Sequence, residues 1–144
     1  MELRPIGAND HDLLSTLEEQ EDVWEFIGTL PLEPAHQLFA VVEGKDRVGI
    51  AGLVKSDALG SDDFELLCAL KSEAQARGLA KQACRLVLDW AFETAKIERI
   101  IACIDDGNAA ARTIAGKLGM QQMGRRSASR TVYVKYRDAR QEGA

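Results

Sequence analysis

The chain has 144 residues, 46% of them apolar and 28% charged, the make-up of one soluble globular domain with a core of its own. Its 18 basic and 23 acidic residues leave a net charge of −5, which argues against a dedicated nucleic-acid binder, whose affinity rests on clustered Lys and Arg. No long apolar run suggests a signal peptide or a bilayer span, so a cytoplasmic protein with no membrane partner is expected.

Leu3 to Ile6 reads as a short edge strand that tolerates Pro5. Asn9 or Asp10 then offers an N-cap, and Leu13, Leu14, Leu17, Trp24 and Ile27 recur at helical spacing until Pro31 ends the helix. LFAVV (38–42) and VGIAGLV (48–54) are strands joined by the turn EGKDR, and SDALGSDD leads into a third strand, FELLCAL (64–70). These runs are apolar on both faces, so both faces of the sheet should be covered. From Gly78 the period changes: Leu79, Ala83, Leu86, Val87 and Trp90 mark one face of a helix running to about Lys96. RIIACI (99–104) is a buried strand, Asn108 caps a helix that ends at the C′ glycine Gly119, and TVYVKY (131–136) is a last strand. A further strand is possible around Gln121 to Gly124, and the tail DARQEGA should fray.

Cys68, Cys84 and Cys103 each sit inside an apolar run and none forms a CxxC pair, so they read as three core thiols in a reducing compartment. The order β-α-β-β-β-α-β-α-β implies an α/β domain with a mixed sheet. FELLCAL, the Gly78 helix and RIIACI make a right-handed crossover and hence a parallel pair. Ligands favour the crevice beyond the carboxyl ends of such strands.

The turn into the Gly78 helix is Gln75-Ala76-Arg77-Gly78-Leu79-Ala80. A helix start leaves N–H groups unpaired and partly positive, and small residues at 76, 78 and 80 would let a phosphate reach them, with Arg77 and Lys81 adding charge. Close packing of a helix that begins with small residues explains the same hexapeptide equally well. There is no GK[ST] and no GxGxxG, so neither a P-loop with its Mg²⁺ nor a dinucleotide site is indicated, and no metal is expected.

This hexapeptide resembles the Q/R-x-x-G-x-G/A acyl-CoA signature of the GNAT N-acetyltransferases. The resemblance extends through ELLCAL before it and LDWAFETAKIERIIACI after it. It continues to Asn108-Ala109-Ala110-Ala111-Arg112 and Lys117-Leu118-Gly119-Met120, which are similar to elements of the ribosomal-protein-N-acetyltransferase-like branch. Linked motifs in the right order are far more specific than one. The resemblance implies the GNAT acyl-CoA N-acyltransferase fold: a mostly antiparallel mixed sheet with one parallel pair, flanked by helices on both faces. It also implies acetyl transfer from acetyl-CoA to a primary amine, either a protein N-terminus or a small molecule, in a possible homodimer. The backbone from Gln75 through Ala76, Arg77, Gly78 and Leu79 to Ala80 would hold the pyrophosphate. Leu70 and Lys71 would offer main-chain groups to the pantetheine arm, and Asn108 its side chain.

Glu65 is the candidate base, since only a neutral amine is nucleophilic and a carboxylate on a strand apolar on both sides suits the removal of its proton. The alternative is a Glu at the solvent end of its strand. Trp24, with Glu25 and Phe26, and His36 would border the acceptor, although helix packing and a loop position explain them as well. The cluster Arg125, Arg126, Arg130 reads first as a solvated hairpin and otherwise as a contact for an acidic acceptor or the CoA 3′-phosphate. Several positions depart from the family pattern: Ala76 replaces a usual Gly, Ser72 a Pro, Ala111 a Ser and Met120 a Phe, and Ala115 stands where a general-acid Tyr is common. The rival reading is a GNAT-like module that binds acyl-CoA without turnover.

Overall fold

A computed structural model describes residues 1–7, 10–19, 37–75 and 77–137 of the chain. Trp24, His36, Ala76, the predicted continuation of the first helix toward Pro31 and the 138–144 tail lie outside the described residues.

The elements follow the predicted order, with the additional strand present. They are β1 (Glu2–Pro5), α1 (His11–Glu19), β2 (Gln37–Glu43), β3 (Asp46–Ser56), β4 (Asp63–Leu70), α2 (Leu79–Asp89), β5 (Arg99–Asp105), α3 (Ala109–Lys117), β6 (Gln121–Arg125) and β7 (Arg130–Tyr136). A single 3₁₀ turn, Ser72–Ala74, separates β4 from α2, and α2 widens into a π-turn over Trp90–Thr94 before it ends. The predicted extent of this helix, to about Lys96, is thus nearly reached, although its last turn is not α-helical. Trp90 in that turn packs edge-on against Phe39 of β2, with ring centroids 5.3 Å apart.

The strands form one seven-stranded sheet in the order β1-β2-β3-β4-β5-β7-β6. Pro5 therefore lies on an edge strand, where its missing N–H costs no ladder bond. All neighbours are antiparallel except β4 and β5. Period-2 alternation sends Leu53, Leu70, Ile100, Ala102 and Tyr133 to one face, against α2 and α3, where they form the main core with Ala83, Val87, Ala115 and Leu118. The opposite face carries Ala40, Ile50, Val54 and Leu67 against Leu13 and Leu17 of α1. Both faces are covered, as the doubly apolar strands require. Among the described residues, no helix is long and apolar enough to cross a membrane.

Two buried aspartates fix the frame. Asp10, one of the two N-cap candidates, turns its side chain back: Oδ2 accepts the Gly7 N–H at 2.9 Å, and Oδ1 meets Arg47 at 2.9 Å and Arg4 at 3.3 Å. Burial pushes its carboxyl pKa up, but the Gly7 N–H and the two guanidiniums outweigh that and hold it below the usual aspartate value. Asp63 opens β4 and takes a two-pronged contact from Arg99, the first residue of β5, with Nε at 2.8 Å from Oδ1 and Nη2 at 2.9 Å from Oδ2. Ser61 adds a hydroxyl at 3.1 Å. This clamp stands at the base of the parallel pair.

Arg99 holds the Asp63 carboxyl below its ordinary pKa, against the opposing effect of burial. A depressed folded-state value means that the stabilisation is complete above the unfolded value near pH ~4 and is lost as the pH falls through the folded one. Asp63→Asn should therefore cost about 3 kcal/mol at neutral pH, and the gap from wild type should close in acid. Urea denaturation of both proteins across pH 2.5 to 7 reads this directly, and a gap that does not change with pH would refute the assignment.

Candidate active site

Registered pairing between β4 and β5 is confined to Phe64↔Ile100 and Glu65↔Ile101, whereas β4 pairs with β3, and β5 with β7, along their whole lengths. Beyond Glu65 the parallel strands part. The hydrogen-bond phase shows what faces the gap. Lys71 N–H donates to Val48 O at 2.8 Å, in register with the β3–β4 ladder. Because bonded and non-bonded pairs alternate in an antiparallel ladder, Glu65, Leu67 and Ala69 direct their main chain to β3, and Leu66, Cys68 and Leu70 direct theirs toward β5. On the other side, Asp106 N–H donates to Ser129 O at 2.8 Å and Arg137 N–H to Glu98 O at 2.9 Å. The same alternation turns the main chain of Ile101, Cys103 and Asp105 toward β4.

A cavity of about 580 Å³ fills this gap and extends along the face that carries α2 and α3. Leu66, Cys68 and Leu70 line it from β4, Ala102 to Asp105 from β5, Ala111 and Ile114 from α3, and Gln75, Gly78, Ala80 and Lys81 from the turn into α2. Its walls are apolar and its end at α2 is not. Gly78 is the N-cap of α2 with φ +77, and a Cβ built on it would meet no heavy atom within 4 Å. Glycine is there for the left-handed backbone, and the space in front of the helix start is open. The first N–H groups of α2 have no intrahelical partner, so this end of the cavity presents donors that could meet an anion, with Lys81 beside it.

The predicted site residues fall as follows. Gln75 folds back and donates from Nε2 to Leu70 O at 3.1 Å. Lys71 has its N–H on Val48 and its carbonyl on the Ala74 N–H at 2.9 Å. Arg77 leaves the helix start and pairs with Glu43 of β2 at 2.6 Å. Leu79 is buried beneath the turn, and Ala80 is half-buried on the cavity wall. Asn108 is the N-cap of α3, its Oδ1 accepting the Ala111 N–H at 3.1 Å. Its amide nitrogen has no protein partner among the described residues. Gly119 takes φ +82, as a C′ glycine should. Ala115, at the position of the absent Tyr, is buried in the core.

The cysteines depart from the expectation of three core thiols. Only Cys84 is buried, and all three line the gap cavity. The neighbouring Cys84 thiol and burial push the Cys68 thiol well above its usual pKa. Cys103 is pushed up to about 11 by burial and by the Glu65 carboxylate, against the pull of Arg126.

Glu65 stands on the α1 side of β4, 19% exposed, where the strands begin to part. It lines a second pocket of about 410 Å³ with Lys55, Ser56, Asp57, Asp62, Arg126 and Arg130. The basic hairpin does not simply project into solvent. Arg125 is held by Asp106 at 2.6 Å and by the Ala128 carbonyl at 2.7 Å. Arg126 instead reaches back over the gap, with Nη1 3.3 Å from Ser56 Oγ, 3.6 Å from Glu65 Oε1 and 3.7 Å from Cys103 Sγ. Asp57, Asp62 and this reach of Arg126 escaped the sequence reading, which saw only a turn and a charged cluster. Arg126 Nη1 lies within 3.7 Å of both Cys103, which lines the first cavity, and Glu65, which lines the second, so the two spaces lie side by side.

Residues 1–121 match the family model of the acetyltransferase (GNAT) domain. The chain belongs to the GNAT acetyltransferase family. With the family comes the reaction class, acyl-CoA-dependent N-acyl transfer. A search of curated protein sequences returned no significant match. Among solved structures, this GNAT chain is similar to the spermidine N-acetyltransferase of Vibrio cholerae in complex with CoA and spermine, with a TM-score of 0.80, 16% identity, and coverage of 94% of this chain and 95% of that one. It is also similar to an acetyltransferase from Agrobacterium tumefaciens, with a TM-score of 0.75, 19% identity, and coverage of 93% and 89%. A GNAT-family acetyltransferase from Bacillus anthracis gives a TM-score of 0.75 at 17% identity, covering 94% and 93%. At these identities the likeness is one of fold, and the mixed sheet with a single parallel pair, flanked by helices, is the GNAT fold.

The positive φ at Gly78 separates strain from charge in a test of anion binding at this turn. Gly78→Ala and Gly78→Glu share a backbone penalty of about 1 kcal/mol, but only the second brings a carboxylate to the helix start. Calorimetric titration with acetyl-CoA should show Gly78→Glu binding at least about 10-fold more weakly than Gly78→Ala. Equal affinities would remove the turn from the binding site.

Proposed function

We propose that this GNAT domain transfers an acetyl group from acetyl-CoA to a primary amine by direct attack in a ternary complex. The observation that carries the reading is the pair of cavities that lie side by side, one on each face of the sheet, where β4 and β5 part. The larger fits the donor and the smaller the acceptor. The donor set suits acyl-CoA: free N–H groups and an open Gly78 at the phosphate end, then an apolar channel lined by strand edges. In this reading the backbone at the start of α2, from Arg77 to Ala80, holds the pyrophosphate, since the Gln75 N–H is already given to Ser72 O at 3.3 Å, and the Asn108 amide nitrogen meets the pantetheine. Lys71 has both main-chain groups engaged already, which makes Cys68, whose main chain faces the gap, the better partner for the arm.

Bound acetyl-CoA supplies an activated thioester, whose C–S bond breaks as the amine's C–N bond forms, releasing free thiol and one net proton. Glu65 takes the proton from the ammonium, directly or through one water, because it faces the acceptor pocket where β4 and β5 begin to part. Removing a positioned base costs about 10²-fold or more. Glu65→Gln should therefore lower kcat/KM for the amine by that factor while the acetyl-CoA affinity measured by calorimetry stays unchanged. Full activity of Glu65→Gln across pH would rule Glu65 out as the base, and a protein that binds acetyl-CoA but releases no thiol with any amine would be the non-catalytic module.

A further inference from the structure

The pocket beside Glu65 carries both signs of charge. Asp57, Asp62 and Glu65 are set against Lys55, Arg126 and Arg130 around one space of about 410 Å³. A site for a plain amine has no use for guanidinium beside the carboxylate that receives the ammonium. Arg126 places one there, 3.6 Å from Glu65 Oε1.

Arg126 is held more loosely than the arginines that form short ion pairs. Arg77, Arg125 and Arg137 each make a carboxylate contact at 2.6 Å, and Arg99 makes two at 2.8 and 2.9 Å. The Arg126 contacts run from 3.3 to 3.7 Å, two of them to uncharged groups, and its side chain is 40% exposed. A planar guanidinium so loosely held can turn to meet a carboxylate with two parallel N–H bonds.

We propose that the acceptor is a zwitterion, a free amino acid, whose ammonium meets Glu65 and whose carboxylate is bound by Arg126. This rests on the acetyl-transfer reading above and adds the substrate class. The spacing suits it: an α-amino acid holds its two charges two bonds apart, and Glu65 and Arg126 stand side by side. A polyamine would place its second cation against Lys55, Arg126 and Arg130. A protein N-terminus would offer Arg126 only a neutral amide carbonyl. The reaction joins the amino nitrogen to the acetyl carbon, breaks the C–S bond, returns a proton to the departing sulfur and releases one to solvent.

The test is a panel of the twenty free L-amino acids, their decarboxylated amines, their amides and spermidine, read as thiol release with acetyl-CoA. The wild-type protein should prefer at least one amino acid over its decarboxylated amine by about 10-fold or more in kcat/KM. Arg126→Gln should reduce that ratio by about 10- to 100-fold, and Arg126→Lys, which keeps the charge but not the fork, by less. Thermal melts establish that each variant is folded, and the Lys variant carries the comparison if the Gln variant is not. A wild-type preference for spermidine, the amides or the decarboxylated amines overturns the proposal, as does an equal loss on amino acid and amine in Arg126→Gln. Should no amine release thiol, acetyl transfer fails as the function, and calorimetric titration with the same amino acids decides this proposal separately. Arg126-dependent binding upholds the zwitterion site without the acceptor role, and no binding overturns both.

Discussion

The Asp63–Arg99 clamp is the contact on which the working part of the molecule depends. A parallel pair registered at only two positions has little ladder of its own to hold it. The clamp ties the first residues of β4 and β5 by two charge-assisted bonds to a carboxylate that is 6% exposed. Below it the strands cannot part. Above it each is satisfied by its other neighbour, β3 or β7, so the gap costs main-chain bonds only along the two facing edges. A buried ion pair is weak evidence for net stability against an apolar alternative. What it supplies here is position, since it sets where the sheet begins to split, and the larger cavity lies along that split.

Much of the fold was legible because it is written in local periods. Alternation gave the strands, the change of period at Gly78 gave α2, and cap chemistry at Asn108 and Gly119 bounded α3. The gap was not legible, because it is a difference in register between strands separated by a whole helix, and no local pattern records it. Cys68 and Cys103 show the consequence: each sits in an apolar run that reads as core, yet each lies on a strand edge that faces the opening. The composition of the turn 75–80 fits an anion site and close packing alike, and the pairing of Arg77 with Glu43, 34 positions away, could not be read from a hexapeptide.

Charge behaves in the same way. A net charge of −5 excludes little about a small-molecule site, because the total averages over groups committed elsewhere. Asp10 engages Arg4 and Arg47, Asp63 engages Arg99, and Asp106 engages Arg125, all within 3.3 Å. These pairs hold termini, strand ends and the last hairpin. Setting them aside leaves a record of the charges not committed to these three carboxylates.

Arg126 stands out in that record. Its neighbour Arg125 is bound by Asp106, Thr131 and two carbonyls of its own hairpin, and so fixes the loop from which Arg126 projects. A side chain on a fixed base that crosses the gap to reach Ser56, on β3, has been positioned by the fold, yet none of its contacts has the length of a committed ion pair. Holding a guanidinium near Glu65 without neutralising it there keeps both groups available to a ligand that carries the opposite charge to each. In a molecule that holds most of its other described ion pairs at 2.6 to 2.9 Å, such a loose pair beside two cavities is most economically read as a site for a ligand with two charges of its own.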